Sequence, residues 1–142
     1  MDINIKEIIP QREPMIMIDK LLSYTKQHTT TAFTITDNCI FIDKRQHLTA
    51  EGMLENIAQT CAARIGYENH IAGDTVKLGF IGAVKSFYVS DKPSIGDTII
   101  TMITVKEQIF GITLVDASIK LNDNEIAFTT MKIAISNIEA SI

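Results

Sequence analysis

The chain has 142 residues, 46% of them hydrophobic, and a formal net charge of −4 at a pI of about 5.3. That size supports one domain with a proper core, and the acidic balance speaks against a nucleic-acid surface. No apolar run nears the ~20 residues needed to span a bilayer, and MDINIKEIIPQ lacks the basic start and apolar stretch of a secretory signal.

Cys39 and Cys61 are too few for a disulfide framework or a zinc cluster, so the expectation is a reduced, soluble, cytoplasmic protein without a metal. In chain order, INIKEIIPQ predicts one helical turn before Pro10. Met15 to Tyr24 reads as a strand, and the β-branched run Thr29 to Thr36 as a second. Asp37 to His47 is irregular and carries the charged knot DKRQH. Thr49 is placed to N-cap a helix from about Ala50 to about His70, with Glu51 in the first turn and Gly73 past the end. After it come Val76 to Ser90, where Gly79 and Gly82 suggest bends or close backbone approach, then a turn over Pro93 to Gly96. Asp97 to Ile109, Ile112 to Leu121 and Glu125 to Ser136 complete the pattern, with turns at Phe110-Gly111 and Asn122 to Asn124. Two strands, one apolar helix and a four-strand antiparallel meander make an α+β architecture in which the sheet wraps the helix.

The helix is the informative element. Between Met53 and Gly66 its only charged residues are Glu55 and Arg64. At about 100° per residue Leu54, Ile57, Ala58, Cys61, Ala62 and Ile65 share one face, with Glu55 and Gln59 stacked at its edge. A carboxylate withdrawn from water costs several kcal/mol unless paired or protonated. Glu55 is therefore either a structural partner or a general acid or base at the floor of a pocket. Cys61 reads as a small packing residue.

Three segments resemble one family, the hot-dog-fold 3-hydroxyacyl-acyl-carrier-protein dehydratases. PQREPMIMID (Pro10 to Asp19) is similar to its opening strand, ENIAQ (Glu55 to Gln59) to its helix motif, and FIGAVK (Phe80 to Lys85) with Gly96-Asp97 to its long strand and following turn. The resemblance spans nearly the whole chain. It implies a homodimer, with higher assembly open, whose sheets join edge to edge and whose active sites lie between subunits. It also implies loss of water from a 3-hydroxyacyl thioester on an acyl carrier protein or coenzyme A, with no cofactor. The helix carboxylate of that family falls on Glu55, and the amides that polarise the thioester carbonyl fall around Glu51 and Gly52. The family's reactive histidine does not carry over: the position 14 residues before Glu55 is Phe41, within the shorter segment FIDKRQHLTAEG. Dehydratase-like proteins of aryl-polyene and pigment-type lipid assembly are similar in this shortened loop.

His47, eight residues before Glu55, is the one nearby imidazole and a candidate base. Gln59 is expected to orient Glu55 or bond the backbone. Phe80, Ile81 and Gly82 are candidate acyl-tunnel residues, with strand packing as the alternative. Arg12 and Asp19 suggest a structural ion pair, His28 and His70 solvated positions, and the methionines core filling. Lys44, Arg45 and Lys85 form either a solvated face or a basic rim that steers an acidic carrier. Two rivals stand beside the dehydratase: a thioesterase on the same fold, and a catalytically silent acyl-binding subunit.

Overall fold

The computed structural model describes residues 1–73 and 77–139, and for residues 77–80 and 135–139 the backbone alone. One helix, α1 (Ala50–Ile71), packs on a six-stranded antiparallel sheet. Thr49 Oγ1 caps its start by accepting the Gly52 N–H at 3.1 Å, as the sequence predicts, and Gly73 (φ +76°) follows its end. The strands are β1 (Lys20–Tyr24), β2 (His28–Thr34), β3 (Lys77–Val89), β4 (Thr98–Ile109), β5 (Ile112–Leu121) and β6 (Asn124–Glu139), in spatial order β1-β2-β4-β5-β6-β3. A short 3₁₀ turn, Ile5–Glu7, lies ahead of them.

The expected four-strand meander is corrected to three. Two-residue turns with positive φ, Phe110-Gly111 and Asn122-Asp123, hold β4, β5 and β6 side by side. β3 instead pairs with β6 and forms the far edge. The link from Ser90 to Asp97 makes this possible: it need only pass two strands at about 4.8 Å spacing, well within the reach of eight extended residues. β3 does bend where its glycines suggested, with register shifts across Lys77/Gly79 and Ile81/Ala83. Close approach is not the reason at Gly82, where an added Cβ would sit 3.6 Å from the Lys132 carbonyl oxygen, an ordinary contact. The first residue expected in that strand, Val76, lies outside the described residues.

The first strand is shorter than its sequence suggests. Only Lys20–Tyr24 form the strand paired with β2, because the backbone groups of Met15 and Met17 bond helix side chains rather than a strand. The expected Arg12–Asp19 ion pair is absent too. Arg12 instead donates to the carbonyls of Lys6, Ile9 and Gln11, closing the N-terminal turn, while Asp19 accepts the Thr34 N–H at 2.7 Å.

α1 is clamped from two sides. Met53, Ile57, Cys61 and Ile65 pack with Phe33, Ile103, Val115 and Met131 of the sheet. Ala63 packs with Ile5, Ile8, Ile9, Ile18 and Leu21 of the N-terminal segment and β1. The single apolar face read from the sequence is thus only part of the buried surface. Leu54, Ala58 and Ala62 are half-buried, whereas Asn56, Gln59, Arg64 and Gly66 are buried. Gly66 marks the tightest crossing: a Cβ there would lie 1.7 Å from the Ile8 carbonyl oxygen. Further along, Arg64 reaches Glu68 Oε1 at 3.3 Å, and Glu68 Oε2 accepts the Tyr24 hydroxyl at 2.6 Å. Burial and then that hydrogen bond push the Tyr24 phenol from its ordinary value near 10 up to about 12.

Two outcomes follow. Gly66→Ala, which must displace backbone, is expected to lower stability by about 3 kcal/mol in urea denaturation; an unchanged midpoint would contradict the close approach. The native state holds the Tyr24 proton more tightly than the unfolded chain. The stability this adds is complete below pH 10 and is lost as pH rises from 10 towards 12. Tyr24→Phe should flatten the pH dependence of the melting temperature in that window.

Candidate active site

Glu55 sits in the second turn of α1 and is half-buried in the chain. Its Oε2 accepts a hydrogen bond from Gln59 Nε2 at 2.7 Å, one turn on, and no ion pair involves it among the described residues. Gln59 is wholly buried and fully used. Its Nε2 also donates to the Met15 carbonyl at 2.7 Å, and its Oε1 accepts the Met17 N–H at 2.6 Å. Both expected roles of Gln59, holding Glu55 and bonding the backbone, therefore operate together.

Asn56 completes the clasp and was not singled out from the sequence. Its Nδ2 donates to the Met17 carbonyl at 2.7 Å, and its Oδ1 accepts the Thr101 hydroxyl at 2.6 Å. Thr60 donates to the Asn56 carbonyl and bonds Thr31 at 2.8 Å. The available signal was Asn56-x-x-Gln59-Thr60, polar side chains three and four apart in a helix otherwise built for burial.

At the start of α1 the Gly52 N–H, one of the two expected amides, is taken by Thr49, whereas the N–H groups of Glu51 and of the neighbouring Ala50 have no acceptor among the described residues. Gly52 has a packing reason as well. A Cβ there would sit 2.6 Å from Phe41 Cβ and 2.7 Å from Leu48 Cδ1, so glycine lets the preceding loop lie against the helix. Phe41 is accordingly half-buried, and its carbonyl accepts the Thr49 N–H at 2.8 Å.

His47 is half-buried and held by its backbone. Its N–H reaches Asp43 Oδ1 at 3.0 Å, and it bridges to Ser94. The amide of His47, aided by that of Arg45, keeps the Asp43 carboxyl below its ordinary value. The imidazole has no hydrogen-bond partner among the described residues, and nothing links it directly to Glu55. Lys44, Arg45 and Lys85 are exposed. So are His28, which reaches Thr104 Oγ1 at 3.2 Å, and His70. Burial pushes the Cys61 thiol up to about 12, in keeping with a packing role.

Ile81 and Gly82 are exposed on β3, the sheet edge, and the Phe80 side chain lies outside the described part. Neither Glu55 nor His47 lines any of the three main cavities, the largest of which, about 1010 Å³, runs between the N-terminal segment and β1. Among the described residues no cluster of His, Cys, Asp or Glu is arranged to hold a metal ion, and no helix is long and apolar enough to cross a membrane.

The family model for ApeP dehydratase, ApeP-like, matches residues 3–140. No curated protein matches the chain by sequence. Among solved structures, the dehydratase heterocomplex ApeI:P from Xenorhabdus doucetiae superposes with a TM-score of 0.88 at 13% identity, covering 96% of this chain and 93% of that one. The E. coli PaaI protein gives 0.67 at 13% identity over 81% of each chain. A hypothetical thioesterase with coenzyme A from Streptococcus pneumoniae gives 0.67 at 9% identity, over 86% of this chain and 88% of that one. At such identities the likeness establishes the hot-dog fold.

Replacing Gln59 by Leu strands the buried Met17 N–H and removes the donor from the Met15 carbonyl. A loss of about 3 kcal/mol is expected in equilibrium denaturation. A neutral effect would show that the clasp contributes nothing.

Proposed function

We propose that this chain, which belongs to the ApeP-like dehydratase family, removes water from a 3-hydroxyacyl thioester carried by an acyl carrier protein or coenzyme A. The observation that supports this most is the setting of Glu55: half-buried, held through one oxygen by a neutral amide, and free of any cation among the described residues. A neutral hold fixes where the carboxyl group points without fixing its charge, which is what a proton-exchanging group needs.

In this reading His47, as the neutral imidazole, takes the C2 proton. The electron pair left behind becomes the C2–C3 double bond. Glu55 gives its proton to the C3 hydroxyl as the C–O bond breaks, and water departs; a proton then passes from His47 back to Glu55. The free N–H groups of Ala50 and Glu51 at the positive end of α1 polarise the thioester carbonyl as negative charge develops. Glu51 places the carbonyl through its amide, and Phe80, Ile81 and Gly82 line the acyl path.

A second chain is needed to enclose such a site. Glu51, Leu54, Glu55, Ala58 and Ala62 form a stripe of α1 that stays partly open in the single chain, and β3 lies at the sheet edge. Pairing β3 with the β3 of a second copy would cover the stripe and bring His47 of one subunit towards Glu55 of the other. Lys44 and Arg45 would then steer an acidic carrier in the cytoplasm.

One observation favours a second reading. Phe41 stands where the related enzymes carry their reactive histidine, and it is committed to packing on Gly52. Because one structural neighbour is a heterocomplex, this chain would then bind the acyl group and supply Glu55 to a site whose base comes from a different hot-dog subunit.

The test offers the purified chain a 3-hydroxyacyl and a saturated acyl thioester, following enoyl absorbance and free thiol. Enoyl product is expected, with a drop of at least ~100-fold in Glu55→Gln. Undiminished turnover in that variant would remove Glu55 from the chemistry. Thiol release from the saturated substrate would make the protein a thioesterase. Activity only after addition of a second hot-dog chain would establish the heteromeric reading.

A further inference from the structure

The β4–β5 hairpin carries an apolar patch on the sheet face opposite α1. Phe110, at its tip, is 99% exposed, and Ile109 and Ile112 beside it are exposed as well. Cross-strand register places the patch. Val105 faces Val115 and Gln108 faces Thr113 on the helix side, while Glu107 faces Leu114 and Ile109 faces Ile112 on the outer side. A bulge between Val105 and Glu107 produces this arrangement. Without it, strict alternation would turn Glu107 and Ile109 to the same side as Ile103 and Val105. The turn adds a second local departure. Phe110 has φ +50° at a position that favours Asn, Asp or Gly, whereas the β5–β6 turn fills its equivalent positions with Asn122 and Asp123. A bulky aromatic in that conformation, fully in water, has no reason within the folded chain.

Glu107, Ile109, Phe110, Ile112, Leu114 and Lys132 surround a shallow cavity of about 260 Å³. Glu107 and Lys132 flank Leu114 on the strands either side of it, so roughly two strand spacings, ~10 Å, separate them. Neither forms an ion pair among the described residues. Opposite charges on the two sides of an apolar strip make the face complementary to itself. A two-fold axis running along β5 sets Leu114 on Leu114 and each Glu107 over the other copy's Lys132. An anionic lipid surface would instead meet Glu107 on a chain of net charge −4.

We propose that this face binds a second copy of the chain, sheet against sheet, with Phe110 closing the end of the contact. The experiment measures mass by light scattering across a dilution series. Phe110→Asn removes the aromatic and suits the turn, so the variant should fold and its mass should fall twofold. Glu107→Lys alone should do the same, and the exchange Glu107→Lys with Lys132→Glu should restore the larger species. Wild-type mass equal to that of Phe110→Asn at every concentration overturns the proposal. So does wild-type binding to anionic phospholipid vesicles at unchanged mass that Phe110→Asn abolishes. The species left by Phe110→Asn is independently informative: two chains if β3 edges pair, one if they do not.

Discussion

A single residue inside the protein governs how the helix is held. Met17 lies where no strand can bond it, yet its N–H and its carbonyl are both buried and both satisfied, one by Gln59 and the other by Asn56. Backbone polar groups left unpaired in an interior cost about 1–3 kcal/mol each, so the helix side chains take the part that a neighbouring strand would otherwise play. The same clasp sets the geometry of the candidate acid, since the amide that bonds Met15 also bonds Glu55. Fold and site share one hydrogen-bond network, and neither can be altered without the other.

Glycine does a related job at two crossings. At Gly66 the backbone around Ile8 lies directly on the helix, and at Gly52 the loop from Phe41 to Leu48 does so. These contacts bring the N-terminal segment and the capping loop against opposite ends of α1. The helix thereby keeps a partly open stripe, the one that carries Glu55.

Much of this was legible from the residues. Alternation and turn chemistry placed β4 to β6 closely, because two-residue turns impose adjacency, and Thr49 announced the helix start through a local hydrogen bond. Local rules do not say which strands meet across the chain, so the edge position of β3 was missed: an eight-residue link permits several destinations. Met15 to Ile18 has strand-like composition but is bonded by side chains from 40 or so residues away, a tertiary override of local preference. Burial of Arg64 and Asn56 was hidden for a similar reason, since a helix covered on two sides obeys no single-face pattern. Glu55 and Gln59 were visible because a carboxyl group in such a helix needs a cause. The idea of an Arg12–Asp19 pair failed because each side chain had a backbone partner nearer in sequence or sheet.

The position of β3 bears on how the chain comes to be assembled. Its partner within the chain is β6, so the ladder along that edge closes only after β6 has been made. Sequence-distant pairing of this kind is slow to form, and an unpaired ribbon rich in Ile, Val and Phe invites misassociation while it waits. The helix and the strands β1 and β2 can gather first, with β3 left unzipped. Nascent chains are therefore most vulnerable in the interval before β6 arrives.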